Sequence, residues 1–270
     1  MKTRIPLLAA LVAGVIIPQL ALADQPAPPR DPNVPLAPGE VPDAKPAAPK
    51  KAPIDHYAPV VDEPSLPRVL LMGDSVSIAY SPIVRRELAG LANVHRVPAN
   101  CGATKTALCD YGLVRWIKEG EEWDLIVFNH GLHDASYRFP DGMDKDKEGN
   151  YASPARGCKP YVSIEEYEKN LHEIISILRK TGAKLLFATT TPIPNSLAEK
   201  YVENSELPYN EVAKRVMQAE GVDVIDLWSV IKPEQEKLQG PRNVHFRDDG
   251  SEVLGKAVAE AIKPVLKGSE

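Results

Sequence analysis

Side chains able to do chemistry together are concentrated in four short stretches of this sequence. Leu70-Leu71-Met72-Gly73-Asp74-Ser75 sets a serine directly after an apolar run. At the start of a following helix, such a serine is surrounded by backbone N–H groups that have no intrahelical acceptor. Its hydroxyl can attack a carbonyl while its own N–H faces the oxyanion that forms; the plainer role for the same residue is a helix cap. His245, in Asn243-Val244-His245-Phe246, lies 170 residues further on and can act as a general base from a neighbouring loop. His130-x-x-His133-Asp134 has metal-ligand residue types at close spacing, without the further Cys or His cluster that would complete a zinc site, so no metal is expected. Asp144-x-Asp146-x-Glu148-Gly149 opens like a calcium loop, but Ala155 stands where the closing glutamate belongs, and the stretch reads as a solvated turn.

The elements that must hold these residues follow from hydrophobic patterning. Val69–Met72, Val94–Val97, Leu125–Phe128, Lys184–Ala188 and Val222–Ile225 are short apolar runs bounded by turn residues, and read as strands. Helical patterns lie between them. In the clearest, Ser163 and Glu166 form a capping box, Tyr167, Leu171, Ile174, Ile175 and Leu178 share one face, and Gly182 ends the helix. Strands alternating with helices imply parallel pairing with both sheet faces covered, hence a five-stranded, three-layer α/β/α domain. In such a sheet the ligand crevice lies at the carboxyl ends of the strands. The loops there are Gly73-Asp74-Ser75, Asn100-Cys101-Gly102, Asn129 to Asp134, Thr189 to Pro192 and the segment around His245. Ala135 to Pro160 is long for a connection and reads either as a substrate-contact loop or as a surface insertion.

Composition sets the wider frame. The chain has 270 residues, a formal net charge of −5 and no dense basic run beyond its first residues, so neither a nucleic-acid nor an anionic-membrane surface is indicated. Residues 1–23 run from Lys2 and Arg4 through an apolar stretch to Ala21-Leu22-Ala23, the order of a cleavable signal peptide. Export is therefore expected, to the periplasm, cell envelope or exterior, with no stable membrane insertion after cleavage. Residues 24–67 hold half of the chain's 26 prolines and read as a semi-extended linker, leaving 68–270 as one domain. In an oxidising compartment Cys101, Cys109 and Cys158 can form at most one intramolecular pair; Cys109 with Cys158 is the favoured one, with a fully reduced set as the alternative.

Gly73-Asp74-Ser75, Gly102 after the second strand, Gly131-Leu132-His133-Asp134 after the third, and His245 before the last helix together resemble the four blocks of the SGNH/GDSL hydrolases, from about Arg68 to Lys267. The resemblance implies a flavodoxin-like α/β/α sandwich, Ser75 as nucleophile, His245 as its base, and the N–H groups of Ser75 and Gly102 as part of an oxyanion hole. Two positions depart from the family. His133 stands where the family has an asparagine donor; a neutral imidazole N–H can still donate, with Asn129 as the substitute. Arg242 stands three residues before His245, where the family has its acid. Either a backbone carbonyl accepts from the imidazole and a Ser75–His245 dyad operates, or Asp248 or Asp249 supplies the acid. The function implied is an exported serine ester hydrolase that removes a short acyl group, such as acetate, from a carbohydrate or other small ester, without a cofactor. The alternatives are a glycan O-acyltransferase and a catalytically weak carbohydrate-binding protein on the same fold; oligomeric state is not legible.

Overall fold

The computed structural model describes residues 55–117, 121–194 and 200–267. The expected signal peptide and most of the expected linker lie outside the described residues. In chain order the elements are β1 (Arg68–Met72), α1 (Ser75–Glu87), β2 (Asn93–Arg96), α2 (Thr104–Ala107), α3 (Leu113–Ile117), β3 (Leu125–Phe128), β4 (Tyr137–Arg138), β5 (Lys159–Pro160), α4 (Ile164–Arg179), β6 (Lys184–Ala188), α5 (Glu206–Glu220), β7 (Asp223–Ile225), α6 (Leu227–Ile231), α7 (Gln235–Leu238) and α8 (Asp248–Lys267). Among the described residues no helix is long and apolar enough to cross a membrane.

The main sheet is parallel and five-stranded, in the order β2-β1-β3-β6-β7. Because successive strand residues point to opposite faces, each strand feeds two cores. Leu70, Met72, Ile126, Phe128 and Phe187 pack toward Trp116 of α3, Leu171 and Ile174 of α4, and Val212 and Met217 of α5. Val69, Leu71, Val127, Leu186 and Ala188 pack toward Val76 and Val84 of α1, Ile231 of α6, and Leu254, Val258 and Ile262 of α8. Three layers result, as the patterning requires. The close crossing of α1 and α8 depends on Gly255, where a Cβ would come within 2.6 Å of Ile83 Cβ. α4 starts as its capping signal predicts, with Ser163 Oγ accepting from Glu166 N at 3.2 Å.

Two expectations are corrected. Asp55 to Pro67, placed in the linker by its prolines, is tied to the domain: Asp62 bonds His95 at 2.5 Å and Arg68 at 2.8 Å, and Asn93 Nδ2 donates to the carbonyls of Glu63 and Leu66. Polar side chains from β1 and β2, invisible to a composition count, hold this segment in place. All three cysteines are thiols rather than Cys109–Cys158 being paired; Cys109 Sγ donates to Thr106 O and Cys158 Sγ lies 3.9 Å from Arg156 O.

Candidate active site

The first strand and helix meet in a tight elbow. Asp74, not Ser75, caps α1, its carboxylate accepting from Val76 N at 2.9 Å. Ser75 thus occupies the first helical position, with an uncommitted N–H and a hydroxyl free for another partner. The elbow needs Gly73, because a Cβ there would lie 2.7 Å from Ser77 Oγ. Beneath it lies Arg96, at the end of β2 and buried. Its guanidinium donates to Ser77 Oγ at 2.8 Å and Gly73 O at 3.0 Å, with longer contacts to the carbonyls of Asp74 and Ala99 at 3.4 Å.

Ser75 Oγ lies 2.7 Å from His245 Nε2, and His245 Nδ1 lies 2.7 Å from Asn243 Oδ1. The backbone N–H of His245 also donates to Asn243 Oδ1, at 3.0 Å. An amide oxygen only accepts, so the ring carries its proton on Nδ1 and leaves Nε2 to accept from the serine hydroxyl. Asp248 and Asp249 take no part: they stand in the first turn of α8, with Asp249 accepting from Gly250 N, and neither bonds His245 nor lines the pocket. The acceptor is therefore neither a backbone carbonyl nor an acid, but a side-chain amide. Its signal was readable, since an asparagine reaching the backbone N–H two residues on is a common local turn.

The loop bearing His245 is held by Gln239, a buried side chain that donates to Pro192 O at 2.9 Å and Val244 O at 3.1 Å. Within it Asn243 N donates to Gly240 O at 3.2 Å, Pro241 takes the second turn position, and Arg242 takes the third with φ of +52°.

Around Ser75 and His245 opens a pocket of about 380 Å³, lined also by Leu132, His133, Asp144, Tyr151, Lys200, Tyr201, Arg242, Asn243 and Val244. His133 therefore shares the pocket with Ser75, and its Nε2 is buried without a hydrogen-bond partner. Burial lowers its pKa, as do the nearby charges of Lys200 and Arg138, against the opposing pull of Asp74. The ring is accordingly neutral at pH 7 and can donate from one nitrogen. Asp144 and Tyr151 come from the long segment after β3, which joins the pocket wall. The calcium-like stretch is tied up internally, Asp146 accepting from Asn150 N and Asp144 pairing with Lys200 at 2.8 Å.

Two candidates are placed elsewhere. Asn129 is buried, donates to Ala188 O at 2.8 Å, and lines a separate small cavity beside Asp74 and Thr189. Gly102 has φ of +59°, a left-handed conformation that favours glycine, but its N–H donates to Asn100 Oδ1 at 3.0 Å. Its carbonyl accepts from His130 Nδ1 at 3.1 Å. Asp134, at the end of the same block as His133, accepts from Thr104 N at 2.9 Å and Thr104 Oγ1 at 2.5 Å, so the second and third blocks are tied together from below. No group of three or more metal-ligating side chains stands together among the described residues.

The GDSL-like lipase/acylhydrolase family model matches residues 71–253. Among solved structures, the lipase/acylhydrolase from Enterococcus faecalis superposes with a TM-score of 0.56 at 21% identity, covering 73% of this chain and 96% of that one. The acetyl xylan esterase AlAXEase gives a TM-score of 0.54 at 16% identity, covering 72% and 99%. TesA gives 0.53 at 17%, covering 73% and 99%. At these identities the likeness is one of fold. No curated protein matches the sequence. A family match spanning about two thirds of the chain, over a sheet whose carboxyl end carries Ser75 and His245 in contact, makes this chain a member of the GDSL-like lipase/acylhydrolase family and an SGNH-type esterase.

Proposed function

We propose that the protein is an exported esterase that removes a short acyl group, such as acetate, from a carbohydrate. Ser75 attacks the acyl carbonyl, and His245 Nε2 takes the hydroxyl proton. The tetrahedral intermediate collapses as His245 returns that proton to the departing alcohol oxygen. Water, deprotonated by the same imidazole, then attacks the acyl enzyme and releases the acid. Asn243 holds the imidazole in the tautomer this sequence of transfers needs. The oxyanion is met by the Ser75 N–H and by the neutral ring of His133; Gly102 N–H joins them once Asn100 releases it.

The observation that carries this reading is the 2.7 Å contact between Ser75 Oγ and His245 Nε2, with the far ring nitrogen already held by an acceptor. It favours catalysis over a binding-only protein, which has no need of a preformed base. A pocket of about 380 Å³, lined mainly by polar and charged side chains, suits a small acyl group on a polar alcohol better than a long lipid chain. The apolar and small-residue order of residues 1–23 supports export.

Labelling with a fluorophosphonate and mapping of the modified peptide tests the nucleophile directly. The label is expected on Ser75, and Ser75→Ala and His245→Ala are each expected to abolish turnover of a short aryl acetate by comparable factors, because the two residues act as one unit. Label on another serine, or near-parental turnover by Ser75→Ala, overturns the assignment.

A further inference from the structure

Resting on the esterase reading, we propose that the pocket takes esters of acidic saccharides, and that Arg242 recognises the acid group. The chain as a whole is anionic, with a net charge of −5, yet the cations lining the pocket, Lys200 and Arg242, outnumber its one acid, Asp144. The pocket's one carboxylate, Asp144, is held by both Lys200 at 2.8 Å and Arg138 at 3.3 Å. Two cations thus share one acid, and Arg242 adds a third. Lys145 stands 4.3 Å from the ring of Tyr151 and places a further positive charge beside the same wall. Arg242 itself makes no hydrogen bond or ion pair among the described residues. It also borders a second cavity containing Glu203 and Glu236, but is not paired with either.

The backbone gives an independent argument. Gly240 to Asn243 form a turn with proline second and a positive φ third, the pattern of a type II turn, where glycine or asparagine normally stands. An arginine at that position holds a left-handed backbone conformation that residues with a Cβ rarely adopt. Strain retained beside a nucleophile points to a requirement for the side chain. A guanidinium fits it: its planar fork pairs two N–H groups with a carboxylate or sulfate, and does so while remaining charged at any working pH. Tyr151 and Tyr201 line the same wall, each with a lysine ammonium over its ring, Lys145 on Tyr151 and Lys200 on Tyr201. An ester flanked by a uronate carboxylate is the substrate this arrangement matches.

The test compares kcat/KM for acetylated galacturonate oligosaccharides with that for acetylated xylo-oligosaccharides, at fixed ionic strength. The parent is expected to favour the acidic chain by roughly tenfold or more, and Arg242→Gln to reduce that ratio by a similar factor. Arg242→Gly should reduce it equally; glycine relaxes the turn, so a loss in this variant is not a folding defect. A ratio near one in the parent, or one unmoved by both substitutions, overturns the proposal. If neither ester is turned over, the proposed carbohydrate-acetate substrate itself fails. Calorimetry on Ser75→Ala then still decides the inference: binding of oligogalacturonate over xylotetraose that disappears on adding Arg242→Gln supports it, and equal binding overturns it.

Discussion

At the scale of single residues, the reaction depends on what Asn243 can and cannot do. In the serine-protease template an acid-to-amide change lowers kcat by ~10⁴, because the amide supports the wrong tautomer. Here two N–H groups, from the His245 ring and backbone, converge on the same amide oxygen, so the amide cannot turn its NH2 toward the ring without losing both bonds. The tautomer is right, and what is missing is only the negative charge that would stabilise the imidazolium. Asn243→Asp should therefore raise the pKa of the ascending limb of the kcat/KM profile, since a carboxylate beside His245 favours its charged form. Asn243→Ala should lower kcat by roughly 10- to 100-fold with KM changed only a few-fold, as expected when a positioning contact is lost. Identical pH profiles for the parent and Asn243→Asp would show that Asn243 does not control the histidine. Ser75 and His245 were legible from residue type and loop position taken with the resemblance of the four blocks, and His133 through its place in the third of them. Asn243 is harder to read: the sequence points to a backbone carbonyl or to Asp248 or Asp249 as the acceptor, and a side-chain amide two residues before the histidine meets the same need.

At the scale of elements, the strands of the main sheet fall within one residue of their apolar runs, because the central runs, β1 and β3, are buried on both faces and all five are closed by turn residues. What the pattern does not reveal is how one element braces another. Arg96 ends β2, five strands of sequence before the loop of His245, yet its guanidinium fills the space under the Gly73–Asp74 elbow and bonds three of its groups. A polar residue at the end of a strand reads from sequence as a solvated one. Arg96→Ala removes donors from buried oxygens and leaves a cavity, and is expected to destabilise the domain by about 2–3 kcal/mol. For a domain of this size that lowers Tm by roughly 5–10 °C. A thermal melt within one or two degrees of the parent would show that water replaces the guanidinium without loss. The long segment after β3 is a similar case: its length and composition leave a substrate-contact loop and a surface insertion both open, and the fold brings Asp144 and Tyr151 to the Ser75 pocket.

At the scale of the whole molecule, two buried groups beneath the site oppose each other as pH changes. Burial raises the Asp134 pKa to about 6 from an ordinary value near 3.8, and lowers that of His130 to about 4 from near 6.5. Well below pH 4 Asp134 is protonated whether the chain is folded or not. Between about 4 and 6 the folded state keeps its proton while the unfolded chain has lost it, so this group's contribution falls as pH rises. His130 does the reverse: the unfolded chain holds a proton up to about pH 6.5 that the folded state refuses above about 4, so stability rises with pH in nearly the same window. The two slopes largely cancel, which holds the loops carrying Gly102 and His133 at nearly constant stability through mildly acidic conditions. Asp134→Asn removes one slope and keeps the acceptor for Thr104, leaving the His130 slope exposed. The difference in Tm between variant and parent should then climb from pH 4 to pH 6 and level off above it. Because Asp134 Oδ2 is itself buried without a partner, the replacement amide adds at most a pH-independent offset, which the difference plot separates from the slope. A Tm difference that stays flat from pH 4 to pH 7 would mean that Asp134 does not hold its proton in the folded protein.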